Sequence, residues 1–293
     1  MVLLYIPPVQ NLLRREVTAY ASKATGMQIQ VERIDLRFPL NLLVRGVEVI
    51  QQPDTLLSLE SLNVRVQAWP LLKGKVEVDE VTLSQVAVNS ANLIEGMQIK
   101  GVLGRFFLQS HGVDLSNETA VVNRTELSDT HIQLLMTDTT TTPKDTTASA
   151  PVNWKVNLHQ LKLKNVSFGM KLPADSMKMA AYIGEATIDD AKAELKNQFY
   201  GLKQFLLSGA SASYDTGEAQ PSEGFDASHM AVRNIRIGLD SLLYEGRNMN
   251  AVIREITMEE RSGLSITCLS SRLFSNDSII RIPELNLQTP HSE

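Results

Sequence analysis

The sequence predicts a mainly β protein: an elongated, curled antiparallel sheet that forms a groove, built from bulged repeats and preceded by one N-terminal α-helix. Three observations carry this. From Met27 onward the hydrophobic period is 2 and hardly returns to 3.6. In Val76–Val88 (VEVDEVTLSQVAV) the apolar residues come in pairs, Val76/Val78, Val81/Leu83 and Val86/Val88, with two polar residues between pairs. Eighty positions later Val156–Phe168 (VNLHQLKLKNVSF) repeats the spacing as Val156/Leu158, Leu161/Leu163 and Val166/Phe168.

Strict alternation marks a strand with one buried face. An extra polar residue every fifth position would throw later apolar side chains to the other face unless the strand bends. A β-bulge does this: two residues oppose one, and the apolar residues return to their original side. The core spacing also occurs at Ile29–Leu36, Leu57–Val64, Ala186–Ala193, Met230–Ile237, Ala251–Met258 and Ile280–Leu287. Only about one strict match is expected by chance, so the pattern is a repeat. The polar pairs (Glu32-Arg33, Glu60-Ser61, Asp189-Asp190, Arg233-Asn234, Arg254-Glu255, Pro283-Glu284) are not the Asn-Gly type that closes a tight hairpin. They read as kinks.

Taken in order, Met1–Ile6 (MVLLYI) is apolar but far shorter than the ~20 residues that span a bilayer. It reads as an apolar lead-in or as the remnant of a membrane anchor. Pro7-Pro8 opens a helix, whose apolar stripe is Val9, Leu12, Leu13, Val17, Tyr20, Ala21 and Ala24 and whose stop is Gly26. The polar side, with Arg14, Arg15 and Lys23, is expected to face solvent. Strands are expected at 27–38, 42–50, 55–68, 75–89, 96–109, 119–136, 153–169, 178–196, 199–214, 229–244, 249–268 and 278–289. Trp69–Gly74 reads as a short helical turn. Residues 191–206 would also suit a helix, but the repeat at their start favours strands. The threonine-rich stretch 137–152 has little to bury and reads as a linker. It divides a first β segment (27–136) from a second (153–293), after the anchor remnant and helix (1–26). Gly217–Gly224 is a second loop.

Composition and motifs exclude more than they assign. A net charge of −5 with both signs interspersed argues against a nucleic-acid or anionic-lipid docking surface. The single cysteine, Cys268, permits no intrachain disulfide and reads as a packed strand residue. No phosphate-binding loop, HExxH or GxSxG element occurs, and the five histidines are scattered. His159 sits in a polar pair and reads as exposed. Asp189-Asp190 is itself a kink, and the strand neighbours Glu259 and Glu260 would point to opposite faces. No catalytic residue, metal site or cofactor is expected.

A sheet with one apolar face must cover it or leave it as a groove. Residue pattern alone leaves open an acyl-chain groove or a sandwich in which the two halves pack face to face.

Thr25-Gly26, Ile29/Val31, Ile34-Asp35-Leu36 and Phe38-Pro39-Leu40 resemble the N-terminal signature of the AsmA-like family. So do the run Leu56–Leu62 and Leu71-Leu72-Lys73-Gly74-Lys75-Val76 leading into Val81 and Leu83. The resemblance covers about residues 1–110 and is looser, as generic repeats, beyond. It implies an inner-membrane anchor, a periplasmic location in a two-membrane bacterium and a non-catalytic role in lipid transport and outer-membrane biogenesis. The partners it implies are phospholipid acyl chains and an outer-membrane barrel protein. The groove would be lined by Leu62, Val64, Val66, Val76, Val78, Val81 and Leu83, and in the second half by Val156, Leu158, Leu161 and Leu163. The alternative is a scaffold whose strand edges pair with a barrel protein and assist its assembly.

Overall fold

A computed structural model describes residues 7–67, 77–91, 93–114, 117–136, 153–217 and 220–291. Helix α1 (Pro7–Thr25) precedes one 14-stranded sheet that curls without closing into a barrel. Its strands are β1 (Gln28–Arg37), β2 (Asn41–Gln51), β3 (Asp54–Val66), β4 (Val78–Asn89), β5 (Met97–Asp114), β6 (Thr119–Met136) and β7 (Lys155–Leu172). They continue as β8 (Met177–Glu194), β9 (Phe199–Asp215), β10 (His229–Glu245), β11 (Asn248–Glu260), β12 (Ser265–Ser275), β13 (Ile280–Arg281) and β14 (Asn286–Gln288). Strands adjacent in sequence are adjacent in the sheet through β13, and β14 pairs with β12. Residues 191–206 are strand and turn, as the repeat predicts.

The principal contacts of each strand are with its neighbours in the sheet, and α1 touches β1. The two halves therefore do not stack as a sandwich. Among the described residues no large side chain is fully buried, so the apolar face lacks the second layer a conventional core requires.

Four features differ from the sequence expectation. First, β6 and β7 run parallel, Thr119 pairing with Lys155 and Leu135 with Lys171, whereas every other pairing is antiparallel. A parallel pair needs a long connection, and the residues between Met136 and Lys155 supply the length. Second, the strand expected at 249–268 is two strands. The chain turns at Arg261-Ser262-Gly263, with Gly263 at φ +98°, and β12 returns antiparallel. Third, the last repeat, Ile280–Leu287, is split at Pro283-Glu284 into β13, which pairs with the C-terminal end of β12, and β14, which pairs with its middle at Cys268–Ser270.

The fourth concerns α1. Leu12, Val17 and Tyr20 of its apolar stripe are exposed, while polar residues meet the sheet. Gln10 Nε2 donates to Leu36 O at 3.0 Å, Arg14 Nη1 donates to Glu32 O at 2.6 Å, and Ser22 Oγ accepts from Ile29 N at 3.1 Å. The helix lies along the edge of β1, where backbone groups lack a strand partner, so hydrogen bonding decides which side faces inward. The expectations for Met1–Ile6, Trp69–Gly74 and 137–152 lie outside the described residues.

An open apolar trough as candidate functional site

The repeats place their apolar residues on one face of the whole sheet. In β3 and β4, Leu62 lies opposite Leu83, Val64 opposite Val81, and Val66 opposite Val78. In β7, Val156, Leu158, Leu161 and Leu163 share a face, and the register through β5 and β6 joins them to the first set. Val81 connects through Leu108 and Thr125 to Leu161, and Leu83 connects through Phe106 and Leu127 to Leu163. One row runs unbroken through Ile34, Val44, Leu62, Leu83, Phe106, Leu127, Leu163, Ala186, Leu207, Ile237, Ile256, Leu269 and Leu287. At ~4.8 Å per strand its path across the sheet is ~58 Å. The predicted residues that are described are half-buried; Val76 lies outside the described residues.

In a single layer, side chains can be covered only by same-face neighbours leaning over them. Ala186 (3% exposed), Ala210 (5%) and Ala251 (7%) are nonetheless almost sealed, and Leu59 and Val122 are buried on the same side.

The kinks that keep the face apolar fall on a transverse crease. Between each pair of strands from β1 to β8 one residue per strand is skipped in the ladder, and between β8 and β9 two are; the row runs through Glu32, Gly46, Glu60, Gln85, Gly104, Asp129, Asn165, Gly184 and Gly209. The expected bulge sets two residues against one. Instead, across β1–β8 both neighbours kink at the same row, two oppose two, and register is conserved. Gly46, Gln85, Asp129, Asn165 and Gly209 carry positive φ there. Asn165 Nδ2 donates to Asp129 Oδ1 at 2.7 Å along the crease. Gly104 and Gly184 are needed for close approach, since a Cβ on Gly104 would lie 2.7 Å from Asp129 Cβ and one on Gly184 2.9 Å from Gly209 O.

A second crease joins Asn123, His159, Asp190 and Lys203. Asp190 accepts from Lys203 at 2.8 Å and from His159 at 3.1 Å. The Lys203 hydrogen bond first, then that of His159, holds its carboxyl below the usual carboxylate range. Asp189-Asp190 is thus a solvated kink and His159 an exposed imidazole, as the sequence reading has it. Glu259 pairs with exposed Arg233 at 3.0 Å, whereas buried Glu260 accepts from the backbone of Ser262 and Ala231. Cys268 is half-buried in β12.

Sequence reasoning missed Phe106, Leu127 and Leu207 as trough residues. Their signals were present as Leu103-Gly104-Arg105-Phe106, Leu127-Ser128-Asp129-Thr130 and Leu207-Ser208-Gly209-Ala210. Each keeps the apolar–polar–polar–apolar or small-residue kink but lacks the flanking strict pairs.

Fold and site together define a single-layer, open β-trough with an apolar interior. Comparison with protein-family models and with curated proteins finds no match. Among the described residues no helix is long and apolar enough to cross a membrane, and no cluster of three or more His, Cys, Asp or Glu side chains could hold a metal ion.

Proposed function

We propose that this chain is an AsmA-like groove protein of the TamB type: non-catalytic, tethered to the inner membrane, periplasmic, and passing phospholipid acyl chains along its trough towards the outer membrane. The observation that carries this reading is the uninterrupted apolar row from Ile34 to Leu287, on a face that no second layer of the described residues covers. Exposed contiguous apolar surface of that extent is costly unless something occupies it. Acyl chains fit because the lining offers aliphatic contact with few polar groups to fix a particular ligand.

The test is phospholipid recovered with the purified chain, measured by mass spectrometry. Val78→Asp and Leu161→Asp are expected to abolish recovery at a stability cost of about 1–3 kcal/mol, since both sites are half-exposed. Lys162→Glu, on the opposite face, is expected to retain it. Parent protein recovered free of lipid overturns the proposal.

A second reading, a scaffold that captures an outer-membrane barrel protein by strand pairing, is favoured by the C-terminal edge. Ile280, Ile282, Leu285 and Leu287 there are 71%, 50%, 56% and 49% exposed. Under that reading, proline substitutions within 280–288 stop barrel assembly and Leu161→Asp leaves it intact.

A further inference from the structure

The sheet hollows on the face opposite the apolar row. Beyond the first crease the strand ends from β5 to β12 surround a cavity of about 1240 Å³. Its floor is a transverse row, Lys100–Gln133–Gly169–Ala180–Ser213–Ala231, each residue opposite the next. The last four of these are glycine, alanine or serine, so the floor is nearly flat over adjacent strands. Tyr182 stands in the row on one side, between Ser167 and Ser211, with Ser167 Oγ 2.6 Å from His131 Nδ1. Lys171 and Lys178 stand on the other side, directly opposite each other.

Two ammonium groups at directly opposed positions repel. Asp215 neighbours Lys178 across the ladder, but among the described residues neither lysine, nor Lys100, lies within salt-bridge distance of a carboxylate. The other two carboxylates of the lining are engaged, Glu259 by Arg233 and Glu260 by backbone N–H groups. A cationic hollow in a chain of net charge −5 is a local feature, independent of overall charge.

We propose that this hollow is a binding site for an amphiphilic organophosphate. The phosphate sits between Lys171 and Lys178, where it relieves their repulsion, and the apolar body lies on the Gly169–Ala231 floor against the Tyr182 ring. A bare phosphate would leave most of the volume unfilled, and a neutral amphiphile would leave the lysines opposed. The site is separate from the trough and does not depend on lipid passing through it.

The full chain is titrated calorimetrically with dihexanoyl phosphatidate, dihexanoyl glycerol and inorganic phosphate. Saturable binding of the phosphatidate alone is expected. K171E/K178E is expected to weaken it about tenfold or more, the scale of a lost hydrogen bond to a charged group. A180W, which fills the exposed floor and leaves every charge in place, is expected to weaken it likewise, and L161D to leave it unchanged. Equal binding of inorganic phosphate or of the neutral lipid overturns the proposal. Binding that survives K171E/K178E and A180W but is lost in L161D places the ligand in the trough and overturns this site. Unaltered circular dichroism of each variant separates these outcomes from misfolding.

Discussion

Asn165 shows how a single residue serves the trough. It sits at φ 54° beside Asp129 at φ 51°, and the two side chains are bonded to each other at 2.7 Å. Asparagine and aspartate tolerate the left-handed region better than most residues, and β-branched residues tolerate it poorly. Asn165→Val is therefore expected to cost about 1–3 kcal/mol and Asn165→Gly much less, read from urea denaturation midpoints. Equal losses for the two would show that backbone conformation is not what the residue supplies. The kink positions themselves were legible: Ser84-Gln85, Lys164-Asn165, Asp189-Asp190 and Arg233-Asn234 each place a positive-φ residue second in its polar pair. The alignment of Gln85 and Asn165 into one crease, with Asp190 in another, was not legible. Nothing in a strand's own residues states which row of its neighbour it meets, and the reason for Gly104 and Gly184 lies on the adjacent strand.

At the scale of elements, α1 reverses the usual inference from amphipathicity. An apolar stripe seeks a core when one is beside it, but among the described residues the element packed against α1 is the edge strand β1. Backbone groups there cost about 1–3 kcal/mol each if desolvated without a partner, so Gln10, Arg14 and Ser22 turn inward, and Leu12, Val17 and Tyr20 are left outside at 57%, 47% and 77% exposure. The helix was readable from sequence and its orientation was not, because orientation depends on what lies alongside. The triple variant Gln10→Ala/Arg14→Ala/Ser22→Ala uncovers an edge that can pair with another chain. Concentration-dependent association beyond that of the parent is expected in analytical ultracentrifugation. Leu12→Ser/Tyr20→Ser is expected to leave both association and melting temperature unchanged. A triple variant that sediments like the parent would mean the edge is guarded by something other than α1.

For the whole molecule, the continuity of the trough depends on one junction that the residue pattern could not foretell. Period-2 alternation reads the same in either strand direction, so two similar halves predict two sheets' worth of strands without saying how they join. The junction is β6 on β7, and it is parallel: Leu127 meets Leu163 and Thr125 meets Leu161, which fuses the halves into one apolar face. Because β6 is 18 residues long, its ends lie ~59 Å apart at about 3.3 Å per residue. The 18 residues from 137 to 154 can reach ~60 Å, which allows the return. Cut to about nine, the connection reaches only ~30 Å and cannot bring Lys155 to Thr119. A cysteine pair on the outer face tests this in a Cys268→Ser background: Glu126→Cys and Lys162→Cys occupy directly opposed positions, within disulfide reach. Full-length protein is expected to cross-link under mild oxidation and the shortened one is not. If β7 instead folded back as a hairpin on Met136, Lys162 would sit three residues out of line with Glu126, ~10 Å away and too far to bridge. Cross-linking that survives the deletion would show that β7 reaches its place by another route, and would remove the physical basis for a single trough shared by both halves.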